Sequence, residues 1–117
     1  MTRTLAERLT DIREAARDLI GIVGAMDDAA FHALPNADRI TYRALKNALS
    51  ELGETVKTLP REVTDRHPDV DWRGFAGLRD VVAHGYFGLR QDLLLPIVRD
   101  EVPRLLASIE AELNRSG

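Results

Sequence analysis

The stretch RDVVAHGYFG, residues 79–88, places an arginine, an aspartate, a histidine and a tyrosine within a short distance of one another. Arginine is always charged, and its fork of N–H donors suits a phosphate that gains negative charge in a transition state. Histidine exchanges a proton near neutral pH, and the dipole at a helix C-terminus favours its protonated form. Arg79 and His84 therefore supply the groups needed for metal-independent RNA cleavage, in which a 2′-hydroxyl attacks the neighbouring phosphate.

The spacing of this pair restricts how the two side chains can meet. Five positions separate Arg79 from His84, so on an ideal helix they lie roughly 140° apart. They can converge if the helix ends at His84, with Gly85 as a left-handed C′ residue and Gly88 allowing a second turn. Alternatively, a second copy of the chain brings its own pair to a common site.

The same residues also have ordinary structural explanations. Arg79 could pair with Asp80 or with a carboxylate of the last helix. His84 could cap its helix by bonding the final carbonyls, and Tyr86 and Phe87 could pack in the core or at its rim. The spacing alone leaves both interpretations open.

The composition indicates a single domain without cysteine chemistry. The chain has 117 residues, 44% of them apolar, which suffices to form one domain over residues 1–117. The absence of cysteine excludes disulfides, zinc knuckles and thiol nucleophiles, and favours the cytosol. The longest apolar run, residues 93–98, is too short to cross a bilayer, so no membrane association is expected.

Charge and histidine spacing narrow the kinds of binding site that are expected. With 16 basic and 19 acidic side chains the net charge is −3, so any nucleic-acid contact must come from a local cationic cluster. His32, His67 and His84 share no ligand spacing with one another or with carboxylates. Neither a metal site nor a cofactor is therefore expected.

Apolar residues recur at helical spacing through most of the chain. A first helix should end near Gly24, and a short second helix should end at Pro35 and Asn36. Asp38 should cap a third helix that runs antiparallel to the first. The apolar seams of the first and third helices are Leu5, Leu9, Ile12, Ala16, Leu19 and Val23, and Leu45, Leu49, Leu52, Val56 and Leu59.

Gly53 lies inside the third helix, where glycine costs roughly 1 kcal/mol relative to alanine, so a neighbouring helix should approach closely there. Residues 60–71 should form one helical turn at most before an extended connection. Asp71 should cap a helix that begins at Trp72 and runs to near His84, with Trp72 as a core anchor rather than a base-stacking platform. Its buried stripe should consist of Phe75, Leu78 and Val82.

The last segment, from residue 91, again has helical spacing, with Pro96 tolerated in its first turns. Pro103 should either kink this helix or open a new one after a capping Asp100. Four principal helices and one short extra helix predict an all-α, up-and-down four-helix bundle. The apolar positions of this segment are Leu95, Val98, Val102, Leu105, Ile109 and Leu113.

Three segments together resemble one family. LGETVKTLP at 52–60, HPDVDWRGFAGLRDVVAHGYFG at 67–88 and QDLLLPIVRDEVP at 91–103 are similar to the HepT-like family, HEPN-domain toxins of bacterial and archaeal toxin-antitoxin pairs. The family pattern is arginine, a polar residue, three further residues, histidine, any residue and tyrosine. Its polar and aromatic positions are matched here by Arg79, Asp80, His84 and Tyr86.

The resemblance implies a HEPN-like homodimer in which two Arg79 and His84 pairs line a shared cleft. It also implies a metal-independent endoribonuclease, paired with a minimal nucleotidyltransferase antitoxin of the MntA type that transfers AMP onto Tyr86. This modification would place negative charge and bulk where the RNA phosphate must lie. The family most often has asparagine after the arginine. Asp80 is expected to orient Arg79, and it could also lower the affinity for phosphate.

Two other functions fit the same residues. A noncatalytic partner subunit would bind or position a nucleotide for its nucleotidyltransferase, and nucleotide binding that depends on Arg79 without RNA cleavage would indicate it. A plain dimerisation module is the third hypothesis. It explains least, because a turn of His, Gly, Tyr, Phe and Gly is more specific than packing requires. The endoribonuclease toxin is therefore the leading hypothesis.

Overall fold

The computed structural model describes residues 3–83 and 91–116. The predictions made for His84, Gly85, Tyr86 and Gly88 lie outside these residues. The described part of the chain is helical and contains no strand. Its helices are α1 Leu5–Val23, α2 Asp28–Ala37, α3 Arg39–Val56, α4 Arg61–Asp65, α5 Trp72–Ala76, α6 Leu78–Ala83, α7 Gln91–Pro96 and α8 Val102–Ser116, with a π-helical turn at Ile97–Glu101.

α1 begins at a capping box. The Thr4 hydroxyl accepts a hydrogen bond from the Glu7 backbone N–H at 3.1 Å, and the Glu7 carboxylate accepts one from the Thr4 N–H at 3.0 Å. These bonds satisfy N–H groups that have no partner within the helix. The predicted apolar seam of α1 is buried at Leu9, Ile12, Ala16, Leu19 and Val23.

α1 lies between α3 and α8 and packs against both. Near its start, the Arg8 guanidinium donates a hydrogen bond to the Thr58 carbonyl, just beyond the end of α3. The two helices therefore run antiparallel, as predicted. On the other side, Arg17 of α1 lies 3.8 Å from a carboxylate oxygen of Glu110 in α8.

The second helix does not end where proline predicts. α2 continues past Pro35 and Asn36 to Ala37, so the predicted end is wrong. It stops at Asp38, whose extended backbone leaves the helix and whose carboxylate caps α3 by accepting the Thr41 N–H at 3.1 Å. Because the φ of proline is helical, Pro35 can lie in the last turns, where its missing N–H removes one hydrogen bond.

The helix predicted to begin at Trp72 is divided at Gly77 into α5 and α6. Asp71 caps α5 as predicted, because its carboxylate accepts the Gly74 N–H at 3.1 Å. The Gly77 N–H is shared between the carbonyls of Arg73 and Gly74, a tightened last turn that ends α5. The predicted stripe still faces the core, with Phe75 and Leu78 buried and Val82 partly buried.

The final helix is distorted before Pro103. Asp100 lies inside the π-helical turn, so the alternative of a new helix capped by Asp100 is wrong. In this turn the Val102 N–H bonds the Ile97 carbonyl, five residues earlier. The shifted hydrogen-bond pattern accommodates a proline, which has no N–H to donate, without ending the helix. Pro96 lies at the end of α7, as expected.

One apolar core joins the helices, and the predicted all-α, up-and-down bundle is confirmed. α1, α3, α5 with α6, and α7 with α8 form its four principal elements, and α2 is the short extra helix. No helix in residues 3–83 and 91–116 is long and apolar enough to cross a membrane. The largest fully buried side chains include Phe31, Leu9, Ile12, Leu19, Leu45, Leu49, Leu52, Leu105 and Ile109.

Candidate functional site

α6, which carries Arg79, lies in close contact with α3 at Gly53. A Cβ atom added to Gly53 would stand 2.9 Å from the carbonyl oxygen of Phe75 and 3.0 Å from the backbone nitrogen of Arg79. Backbone atoms cannot yield as a flexible side chain can, so a larger residue would require α6 to move. The close approach predicted from Gly53 is confirmed. It occurs at the first turn of α6, which contains Arg79 and is called the Arg79 turn below.

Glu54, the next residue of α3, forms an ion pair with Arg79 that joins Glu54 Oε1 to Arg79 Nε. The side chains of Glu54 and Arg79 remain about half exposed, at 53% and 51%, so the pair lies at the surface rather than in the core. Sequence reasoning considered Asp80 and the last helix as sources of a partner for Arg79, and it missed Glu54. The available signal was the position of Glu54 beside Gly53, where a close helix was already expected.

Asp80 follows Arg79 on the exposed part of α6. Consecutive helical residues diverge by about 100°, so the two side chains leave α6 in different directions. The predicted role of Asp80 in orienting Arg79 stays a prediction. His84 comes directly after Ala83, the last residue of α6, so the sequence places it next to the described end of this helix.

A groove of about 400 Å³ lies between the start of α1 and the end of α3, and Glu54 forms part of its wall. Within the groove, Arg3 pairs with Asp11 at 2.7 Å. The wall of the groove holds Arg3 and Arg8 beside the carboxylates of Asp11 and Glu54, and Glu54 also pairs with Arg79. The local cationic cluster expected for a nucleic-acid contact stays a prediction. Besides Glu54, the described residues that line the groove are Arg3, Arg8, Asp11, Thr55 and Thr58.

A second, partly buried cluster of charged groups joins α8 to the connection between α3 and α5. Glu112 of α8 binds Arg66 through two hydrogen bonds of 3.0 and 2.6 Å, and binds the His67 ring nitrogen at 2.7 Å. Only 5% of the Glu112 side chain is exposed. A buried carboxylate requires such partners, because an unpaired charge there is costly.

These contacts also set the acidity of the carboxyl group. The hydrogen bonds from Arg66 lower the pKa of Glu112 to about 2, although burial alone would raise it. Sequence reasoning missed this cluster. A signal existed, because Glu112 falls three residues after Ile109 on the apolar stripe of α8, where an acidic residue must find a partner.

Trp72 connects this cluster to the helix that precedes the Arg79 turn. Its indole N–H donates to the His67 carbonyl at 3.0 Å, and its ring meets the His67 imidazole edge-on, with the ring centres 6.5 Å apart. The ring is partly buried against the core. Trp72 is therefore a structural anchor, as predicted.

A metal site would need several acidic or histidine side chains close together. Over the described ranges, 3–83 and 91–116, no group of three or more His, Cys, Asp or Glu residues could hold a metal ion. The Glu112 cluster instead contains an arginine, whose positive charge opposes a cation.

Comparison with known proteins identifies the family of the chain. The family model described as "Ribonuclease HepT-like" matches residues 12–112. The chain belongs to the HepT-like ribonuclease family. The match runs from α1 into α8 and includes the contact between Gly53 and the Arg79 turn. It confirms the family and the endoribonuclease class predicted from the sequence.

Individual relatives of this HepT-like chain cover most of its length. The protein named "Putative RNase MJ0127" from Methanocaldococcus jannaschii is 35% identical over 102 residues, which cover 87% of this chain and 81% of the relative. The protein named "Probable ribonuclease HepT" from Thermococcus cleftensis is 34% identical over 73 residues, which cover 62% of this chain and 66% of the relative. No solved structure matches the chain.

Proposed function

We propose that this HepT-like chain is a metal-independent endoribonuclease toxin of a type VII-like toxin-antitoxin pair, acting on RNA in the cytosol. The observation that carries the proposal is the half-exposed guanidinium of Arg79. It lies on a short helix just before His84, in a chain of a ribonuclease family. An arginine and a histidine can together supply the charge stabilisation and the proton transfer of metal-independent phosphodiester cleavage.

The proposed reaction needs only the RNA and these side chains. One His84 imidazole removes the proton of a 2′-hydroxyl, whose oxygen attacks the neighbouring phosphorus. The bond from phosphorus to the 5′ oxygen then breaks, and this oxygen takes a proton from the second His84 of a dimer, which acts as the protonated imidazolium and becomes neutral. Arg79 stabilises the negative charge that builds up on the phosphoryl oxygens. The products are a 2′,3′-cyclic phosphate and a 5′-hydroxyl.

A homodimer suits this chemistry because, on an ideal helix, residues spaced as Arg79 and His84 are would lie roughly 140° apart. Two protomers that face each other can combine their pairs in a shared cleft. Light scattering should give the mass of a dimer. A strict monomer that still cleaves RNA would contradict the shared cleft.

Tyr86 is the proposed control point of the system. An MntA-like nucleotidyltransferase antitoxin would transfer AMP from ATP to the Tyr86 oxygen and release pyrophosphate. The added phosphate would repel RNA beside His84. Mass spectrometry should show the addition of AMP to wild type but not to Tyr86→Phe, and the modified protein should lose cleavage. Addition of AMP to both proteins would contradict the assignment of Tyr86.

The decisive experiment is cleavage of bulk RNA by the purified protein in excess EDTA. We expect wild type to cleave and His84→Ala to lose cleavage, with product ends of the cyclic phosphate and 5′-hydroxyl type. His32→Ala is the matched control, because it removes an exposed histidine of α2. Equal cleavage by wild type and His84→Ala would refute the proposal. Nucleotide binding that depends on Arg79, without cleavage, would indicate the noncatalytic partner subunit instead.

A further inference from the structure

We infer that Glu54 is a positioning residue for Arg79, holding the guanidinium so that its terminal nitrogens face the scissile phosphate. The inference deepens the proposed function and rests on it. It adds a residue of α3 to the orienting role that the sequence suggested for Asp80.

The atoms of the ion pair suit this role. Glu54 Oε1 contacts Nε, which carries one of the five N–H donors of the planar guanidinium. The donors on the two terminal nitrogens are not used by this contact, and the rigid plane fixes their direction. A carboxylate at Nε therefore orients the group while leaving its phosphate-binding side available.

The backbone places the two partners before a substrate arrives. Gly53 lies against the Arg79 backbone nitrogen, and Glu54 follows Gly53 directly. One helix contact thus sets the positions of both Cα atoms. A geometry fixed in this way matters for catalysis, because a displacement of about 1 Å can lower a rate about a hundredfold.

Glu54 should have opposite effects on binding and on rate. Its negative charge weakens the attraction of Arg79 for phosphate, so its removal should leave RNA binding unchanged or tighter. Its contact with Nε fixes the guanidinium, so its removal should lower the rate at saturating RNA. A carboxylate that acts only as a neighbouring charge would produce the first effect without the second.

Steady-state cleavage of an RNA oligonucleotide should separate these effects. We expect Glu54→Ala to lower kcat by about tenfold to a hundredfold with KM unchanged or lower. Glu54→Gln keeps an acceptor oxygen at the same reach and should recover part of the rate. Glu110→Ala is the matched control. It removes a glutamate of similar exposure that also lies near an arginine, Arg17, and it should cleave like wild type.

A second measurement tests the positioning without cleavage. In NMR spectra, the Arg79 Nε–Hε resonance should shift and exchange faster with water in Glu54→Ala, but not in Glu110→Ala. Wild-type kcat in Glu54→Ala, or an unchanged Arg79 resonance, would overturn the inference. So would a loss of rate that a lowered melting temperature fully explains. If wild type fails to cleave RNA, the proposed function falls, and the resonance alone decides whether Glu54 holds Arg79.

Discussion

Two glutamates on long helices each bind an arginine from the segment between α3 and α7, but in opposite surroundings. Glu112 of α8 has 5% of its side chain exposed and holds Arg66 by two hydrogen bonds. Glu54 of α3 is 53% exposed and contacts Arg79 at Nε. The side-chain types are the same, so the surroundings determine what each pair does.

The comparison separates a pair that supports the fold from one that we propose serves a site. Removal of one partner from a buried pair leaves an uncompensated charge, so the Glu112 contacts affect stability strongly. An exposed pair contributes little to stability, because water solvates both groups well when they separate. The effect of the Glu54 pair must therefore be sought in what Arg79 binds.

The largest expected effect comes from removal of the exposed arginine. Arg79→Ala should lower RNA cleavage by about a hundredfold to a thousandfold, because it removes charge stabilisation from the transition state. Its melting temperature should stay close to that of wild type, since the side chain is half exposed. Arg17→Ala, which removes an exposed arginine of α1, is the control. Full activity of Arg79→Ala would show that the exposed pair of Glu54 and Arg79 has no role in cleavage.

Removal of the buried carboxylate should act on the fold. Glu112→Ala should lower the free energy of unfolding by about 3 kcal/mol, because Arg66 and His67 lose their shared partner. Urea unfolding measures this value. Glu110→Ala alters an exposed glutamate of the same helix and should change stability by less than about 0.5 kcal/mol. Equal effects of the two variants would contradict the assigned difference in surroundings.

Acid should weaken the buried pair in a defined range of pH. The folded pKa of Glu112 is lowered from 4.5 to about 2, so its stabilisation is fully present above the unfolded pKa and is lost as the pH falls through this interval. The full loss amounts to about 3 kcal/mol. Urea unfolding at several pH values should therefore show a weaker acid dependence in Glu112→Gln than in wild type. Identical slopes would show that other carboxyl groups govern acid unfolding.

The contact that brings α6 to Glu54 can be tested at Gly53. Gly53→Ala should lower the free energy of unfolding by about 1 to 3 kcal/mol, because its Cβ would press on backbone atoms of Phe75 and Arg79. Gly21→Ala is the matched control, since a Cβ there meets open space and should stabilise α1 by about 1 kcal/mol. Urea unfolding measures both values. A stabilised Gly53→Ala would show that α6 can shift without cost.

The sequence predicted the helices and their packing because apolar periodicity records burial directly. The seams of α1 and α3, and the close contact at Gly53, follow from local spacing. The helix boundaries near Pro35 and Gly77 could not be predicted from local spacing, because they depend on which of several competing hydrogen bonds forms. Asp38 offered a stronger stop than Pro35, and Gly77 could share its N–H between two carbonyls.

The two ion pairs could not be predicted from spacing. Glu54 and Arg79 come from different helices, and Arg66 lies in the connection between α3 and α5, far along the chain from Glu112. Only the packed bundle brings the partners together. The sequence did identify Arg79 as a candidate, because its residue type and its distance from His84 are local properties. What orients Arg79 is a tertiary property.

The smallest expected effect, that of Glu54→Ala on stability, completes the comparison. This variant should change the free energy of unfolding by less than about 0.5 kcal/mol, because water can solvate both exposed partners once they separate. Urea unfolding of Glu54→Ala beside Glu112→Ala measures the contrast between the same residue type in two environments. If Glu54→Ala destabilised the fold as much as Glu112→Ala, the Glu54 pair would be a structural joint between α3 and α6. Any loss of cleavage in that variant would then follow from displacement of the whole turn rather than from a guanidinium left free to rotate.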